Sequence, residues 1–309
     1  MEEKCIKCKK RVGDFYYLGM LLLTAVKYFV GIVGGSRALL YFAIHSTVSI
    51  VSATALFLMQ KYFNKPIDDE HPYGHGKIEF ITNGFASGIS CIIALILFLR
   101  TDGMVFLSLE GKITPLSPNF SVLMVALIAL LVHELGFRSL SCIKLKFGNA
   151  EKILKYFPPN RIDSLCSIVV IIGMIFTKIG FTNADNVAAI LITIIMFASC
   201  FRLYSESVSN LMDRSLPSAR MQLIKNVVHE VAVAELSQTD SGITFTPQKV
   251  IARLGGGGGA GEKNIWVTVN IKMHENDTME KFNTIASKIK ESIFRADEGI
   301  FHVNVEYSL

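Results

Sequence analysis

Phe80-Ile81-Thr82-Asn83-Gly84-Phe85-Ala86-Ser87-Gly88-Ile89-Ser90-Cys91-Ile92-Ile93-Ala94-Leu95-Ile96-Leu97-Phe98-Leu99 is a run of twenty residues without a charged side chain. An α-helix rises about 1.5 Å per residue, so about 20 residues span the roughly 30 Å hydrocarbon core of a bilayer. The run reads as a membrane crossing. Stretches of the same character lie near 15–34, 38–62, 120–140, 162–179 and 187–211, so six crossings are expected. The first contains Lys27, shows no small-residue cleavage site and leads directly into the next, which marks an anchor and not a removed signal.

Composition agrees with this reading. Hydrophobic residues are 51% and charged residues 18% of the 309, with a mean hydropathy of +0.43, too apolar for an ordinary soluble domain. The net charge of +5 sits between the crossings. Basic residues gather before the first crossing (Lys7, Lys9, Lys10, Arg11), between the second and third (Lys61, Lys65, Lys77), and between the fourth and fifth (Lys144, Lys146, Lys152, Lys155, Arg161). The positive-inside rule then places both termini in the cytoplasm. Charge so placed faces a lipid bilayer and calls for no nucleic acid. Cys91, Cys142, Cys166 and Cys200 lie in or beside crossings, while Cys5 and Cys8 stand on the reducing side, so disulfides are not expected. Cys5 and Cys8 have metal-ligand spacing but no second pair, and read as free thiols.

Residues 1–14 are thus a cytoplasmic leader to the crossings, 15–211 the membrane domain, 212–218 a connector and 219–309 a cytoplasmic tail. In the tail, Leu223, Val227, Val228 and Val231 recur at helical spacing within 219–234. Strand patterns follow at 248–254 and 265–273, joined through Gly255 to Gly259, which reads as a hairpin tip because no Lys-Ser or Lys-Thr follows to hold a phosphate. A helix from Thr278 carries Phe282, Ile285, Ile289 and Ile293, and 300–307 alternates as a third strand. That order predicts two helices on one face of a three-stranded sheet. Trp266, on the second strand, is expected to pack in its core.

Several side chains in this apolar chain carry chemistry. Asp68-Asp69-Glu70-His71-Pro72-Tyr73-Gly74-His75-Gly76-Lys77-Ile78-Glu79 lies between two crossings, and a turn at 72–74 brings the imidazoles of His71 and His75 to the Asp68 carboxylate. Neutral imidazole with carboxylate suits iron, zinc or manganese. Within the second crossing His45 and Ser49 share a helical face, and Pro159 and Asp163 repeat that spacing at the fifth. Ionisable groups in a membrane are functional candidates by default. His133 and Glu134 in the fourth crossing either pair with Lys27 or Arg161 or lie wet at the interface; Lys27 either snorkels or forms an internal ion pair.

Taken together, Lys27, Gly31, Gly34-Gly35-Ser36-Arg37-Ala38-Leu39, Ala43-Ile44-His45-Ser46, the His71 to Glu79 run, Asn160-Arg161 before Asp163, and Leu211-Met212-Asp213 resemble the cation diffusion facilitator family over nearly the whole chain. The opening Cys-x-x-Cys and Asn160-Arg161 look most like its magnetosome MamB, MamM and MamV group. The resemblance implies a dimer, a homodimer or a heterodimer with another family member, exchanging divalent cations for protons across six crossings. It also implies a cytoplasmic ferredoxin-like domain and a bacterial inner membrane or magnetosome membrane. No permanently bound cofactor is implied; Fe2+, Zn2+ or Mn2+ is substrate or regulatory ligand.

In such proteins two ligands on the second crossing and two on the fifth form the transport site, which here falls on His45, Ser49, Pro159 and Asp163. Asp is expected at Ser49, and His or Asp at Pro159, so His45 and Asp163 remain, with Asn160 and Cys166 as helpers within a turn of Asp163. The loop site falls on Asp68, His71 and His75. In the tail, Asn283 and Asn304 stand where the family often has His; His274, His302 and His229 remain, of which His274 and His302 are the candidate tail ligands. Two functions follow: cation transport, or a non-transporting paralogue that acts as scaffold or heterodimer partner. No nucleophile and base stand at a recognisable motif, so an enzyme is not expected.

Overall fold

Apolar runs of this length give backbone amides in lipid no partner but one another, so they form helices. The structure is a computed structural model that describes residues 2–63, 65, 68–71, 74–109, 118–147, 161–238, 246–255, 265–272, 279–297 and 299–308. The membrane part contains α1 (Glu2–Val33), α2 (Arg37–Phe63), α3 (Ile78–Leu109), α4 (Phe120–Phe147), α5 (Ile162–Ile179) and α6 (Ala184–Leu211). Among the described residues, α2 to α6 are the five helices long and apolar enough to cross a membrane. The expected first crossing is shorter: its apolar part is Tyr17–Val33, and the same helix runs back to Glu2 through the basic residues that precede it.

The protein is a helical membrane protein whose outward surface is apolar. Phe29, Ile32, Phe57, Phe85, Ile92, Leu99 and Leu131 are all exposed, as lipid-facing side chains are. The inward face is packed with Leu39, Phe42, Val122, Ala126, Ala129, Cys166, Val170, Ala189 and Ile192. Small residues let helices approach. A Cβ on Gly173 of α5 would stand 2.6 Å from the Ala188 Cβ of α6, a distance no side chain tolerates. Between α1 and α2 the chain reverses through Gly35, whose φ of 71° lies where glycine is unstrained.

The chain forms two compact units, 1–59 with 81–207, and 60–80 with 208–309. In the second, α7 (Ser218–Gln238) and α8 (Met279–Ala296) pack on a sheet of β1 (Thr246–Leu254), β2 (Ile265–Lys272) and β3 (Ile300–Ser308). The sheet order is β1-β2-β3, with β1 and β2 antiparallel and β2 and β3 parallel. Ile265, Val267, Val269 and Ile271 of β2 face both helices and are buried with Ile224, Val228, Phe282, Ile289 and Ile293.

Two tail readings are corrected. The inward stripe of α7 is Ile224, Val228 and Ala232, with Val227 and Val231 packed at its edge, while Leu223 of the stripe read in the sequence is 44% exposed. Trp266 is not in the core: it lies on the opposite face of the alternating β2, its ring 5.5 Å from Phe301 and 4.8 Å from His302. The connector is ordered against the tail, Leu216 N donating to Ala252 O at 3.1 Å and its side chain joining the core. Gly255 ends β1, and the rest of the glycine run lies outside the described residues.

Candidate metal centres

His45 and Asp163 come from helices far apart in sequence and meet in the buried interior. The His45 Nε2 lies 3.7 Å from Asp163 Oδ1, and the side chains are 7% and 16% exposed. That gap is too long for a hydrogen bond, and His45 Nδ1 and Asp163 Oδ1 are both buried without a hydrogen-bond partner. Two ligands about 2.1 Å from a tetrahedral ion stand about 3.4 Å apart, so the observed separation accommodates an ion between them. A buried orphan carboxylate oxygen beside an imidazole is an arrangement that water or a cation relieves.

Lys27 enters the same interior from α1. It is fully buried, so it does not snorkel. Its Nζ donates to Ser46 Oγ at 3.0 Å, lies 3.0 Å from His133 Nε2 and sits 3.5 Å from the centre of the Phe42 ring. Through Ser46, the chain neighbour of His45, it borders the pair of His45 and Asp163. Of the alternatives for α4, His133 therefore pairs with Lys27, whereas Glu134 bonds Arg138 at 3.3 Å and Arg161 stacks over Phe137 at 4.5 Å.

The remaining transport-site positions contribute less. Ser49 Oγ donates its proton to His45 O at 3.2 Å, one turn back on its own helix, which leaves only the weak lone pairs of a neutral hydroxyl oxygen where a carboxylate is expected. Cys166 is fully buried on the Asp163 face of α5. Pro159 and Asn160 lie outside the described residues.

In the second unit the loop ligands do converge. Asp68 Oδ1 accepts the His71 backbone N–H at 2.7 Å and faces His71 Nδ1 at 3.2 Å, while Asp68 Oδ2 lies 3.5 Å from His75 Nε2. The two imidazoles are 4.2 Å apart. Among the described residues this is the one trio of His, Cys, Asp or Glu whose donor atoms all lie within 4.8 Å. Gly74, with a φ of 78°, makes the turn that brings His75 back. Desolvation raises the Asp68 carboxyl, but hydrogen bonds from His71 and the nearby imidazoles outweigh it and hold it below the usual carboxylate range. Glu79 stands in the first turn of α3, beyond the trio. In the tail, His302 and His229 are exposed and join no such cluster, and His274 lies outside the described residues. Asn304 donates to Glu306 at 2.7 Å.

The family model for the cation efflux transmembrane domain matches residues 15–212. The chain belongs to the cation diffusion facilitator family. Members of this family are transporters, not enzymes. The magnetosome protein MamB of Magnetospira sp. (strain QH-2) is 28% identical over 299 residues, covering 94% of this chain and 92% of that protein. The magnetosome protein MamM of Magnetospirillum gryphiswaldense is 23% identical over 309 residues, 98% and 89% of the two chains. The manganese efflux system protein MneP of Bacillus subtilis is 27% identical over 228 residues, 72% and 74%.

Two supports of this cation diffusion facilitator's sites escaped the sequence reading. Asp185, at the start of α6, accepts from Ser36 Oγ at 2.6 Å and from Arg37 N at 2.7 Å, and so caps α2, the helix that carries His45. Ser36 completes the cap, accepting from Leu39 N at 3.1 Å. In the second unit Asp213, with a φ of 57°, receives Lys77 Nζ at 3.0 Å and Arg253, tying the metal loop and the connector to β1. Burial raises the Asp213 carboxyl, but the hydrogen bonds and charges of Lys77 and Arg253 outweigh it and keep it ionised to lower pH. Only Gly34 to Ala38 and Leu211 to Asp213, as part of the family pattern, pointed to these positions.

Proposed function

We propose that this protein moves a divalent metal cation out of the cytoplasm, or into a vesicle, in exchange for protons, with His45 and Asp163 as the intramembrane ligands. The observation that carries this is the buried pair 3.7 Å apart, with an unpartnered carboxylate oxygen, inside an apolar bundle. With Tyr17–Val33 read as a sixth span beside the five long ones, the distribution of basic residues supports both termini in the cytoplasm. The membrane domain is then 15–211, and the tail 219–309 a ferredoxin-like dimerisation domain for a homodimer or a heterodimer with another family member. Asp68, His71 and His75 form a second, cytoplasmic metal site. The cargo is iron, zinc or manganese, of which one relative's name supports manganese, and the membrane is an inner membrane or, as the magnetosome relatives' names support, a magnetosome membrane.

The test is metal-dependent proton flux in proteoliposomes with Fe2+, Mn2+ and Zn2+. Flux in the wild type that is lost in Asp163→Ala supports the reading. No wild-type flux, with flux regained in Ser49→Asp with Pro159→His, would replace it by a non-transporting paralogue.

A further inference from the structure

We propose that Lys27 is a tethered cation of the intramembrane site, whose ammonium neutralises the core when no metal is present and competes with the divalent ion for it. This rests on the reading of His45 and Asp163 as the metal pair. The observation is that the bundle has built a complete receptor for a cation and filled it with its own side chain. A hydroxyl oxygen of Ser46 and an imidazole nitrogen of His133 each stand 3.0 Å from Nζ, and the face of Phe42 lies 3.5 Å away. A hydroxyl, an imidazole lone pair and an aromatic face are three of the groups that stabilise a desolvated ammonium. Because the ammonium is the donor, His133 accepts through Nε2 and acts as a positioning residue for Lys27.

The reason such a device is needed is electrostatic. An isolated carboxylate in a low-dielectric interior is strongly unfavourable, and Ser49, which turns back on its own backbone, gives Asp163 no help. A transporter must pass through loaded and empty states, and whatever charge of Asp163 is not neutralised by protons in the empty state needs a counter-charge. Lys27 supplies one that cannot leave the protein. When a divalent ion arrives, two cations share one carboxylate in the same interior, and their repulsion lowers the ion's affinity. The lysine therefore sets how tightly metal is held and helps to release it.

The experiment uses the full-length protein in nanodiscs, carrying His71→Ala with His75→Ala to silence the loop, titrated with cobalt(II) by calorimetry and visible absorption. Lys27→Met is expected to bind at least tenfold more tightly than this background, and Lys27→Arg, which keeps the charge, within about twofold. Unchanged or weaker binding in Lys27→Met overturns the proposal. Should Lys27→Met not yield monodisperse protein, His133→Phe decides: loosening the ammonium tightens cobalt binding, whereas weaker binding would make His133 a ligand and overturn the competitor role. Asp163→Asn separates the two readings. If it leaves cobalt binding intact, the metal pair itself is wrong; if it abolishes binding while Lys27→Met changes nothing, only the lysine's role fails.

Discussion

Replacing Asp185 with Asn tests whether a carboxylate on α6 sets the position of α2. Asp185 is 3% exposed and receives Ser36 Oγ at 2.6 Å, Arg37 N at 2.7 Å and Ala38 N at 3.4 Å. Hydrogen bonds to a charged group contribute about 1.5–3 kcal/mol each, and a buried donor left without a partner costs about 1–3 kcal/mol. Asn keeps one acceptor but turns an amide N–H2 toward donors, so Asp185→Asn should cost about 2–4 kcal/mol. Ser36→Ala removes one of these bonds and the cap on Leu39 N, for about 2 kcal/mol, while Arg37 N keeps its acceptor. Because the two residues share a contact, the double variant should fall short of the sum by about 0.5–1 kcal/mol or more. The assay is reversible unfolding of the full-length protein in mixed micelles by circular dichroism, alongside metal flux. Flux should fall with stability, since α2 carries His45. An Asp185→Asn variant within about 0.5 kcal/mol of wild type would refute the cap as a stabilising device.

The remaining predictions concern the second unit, where Trp266 is the protein's single tryptophan and its fluorescence reports on the tail alone. Ile224→Ala should lower tail stability by about 2–4 kcal/mol, and Leu223→Ala, on the exposed side, by less than about 0.5 kcal/mol; the reverse order would restore the stripe read from the sequence. Arg220 bonds Asp297 through two nitrogens, one at 2.7 Å, and this bond holds the Asp297 carboxyl below its ordinary value against partial desolvation. A carboxyl more acidic folded than unfolded stabilises fully above its unfolded value of about 3.9, and the gain is lost as pH falls through the folded value. The wild type should therefore exceed Arg220→Leu by about 1 kcal/mol at neutral pH, discounted because Arg220 is partly exposed, and the difference should vanish in acid. A pH-independent difference would mean that the pair contributes only packing. His75→Ala should remove one cobalt equivalent per chain; unchanged stoichiometry would leave the loop trio without a metal.

What the sequence determined by itself is what depends on neighbours in the chain. Apolar length decides that α2 to α6 can cross a bilayer, because the backbone must satisfy itself there. Alternation placed the strands, and the loop ligands Asp68, His71 and His75 were legible because one turn at Gly74 suffices to join them. Tertiary structure decided everything that joins distant segments or chooses between faces. Lys27 meets His133 and Asp185 caps Ser36 only because helices pack side by side, and hydrophobicity says nothing about which polar residues then face each other. The face that Trp266 takes, and the burial of Ile224 while Leu223 stays exposed, follow from what covers the sheet. The Ser49 hydroxyl proton goes to its own helix, a partner settled by local geometry once α2 is formed. Residue type states what a side chain can do; the packed bundle decides which partner it finds.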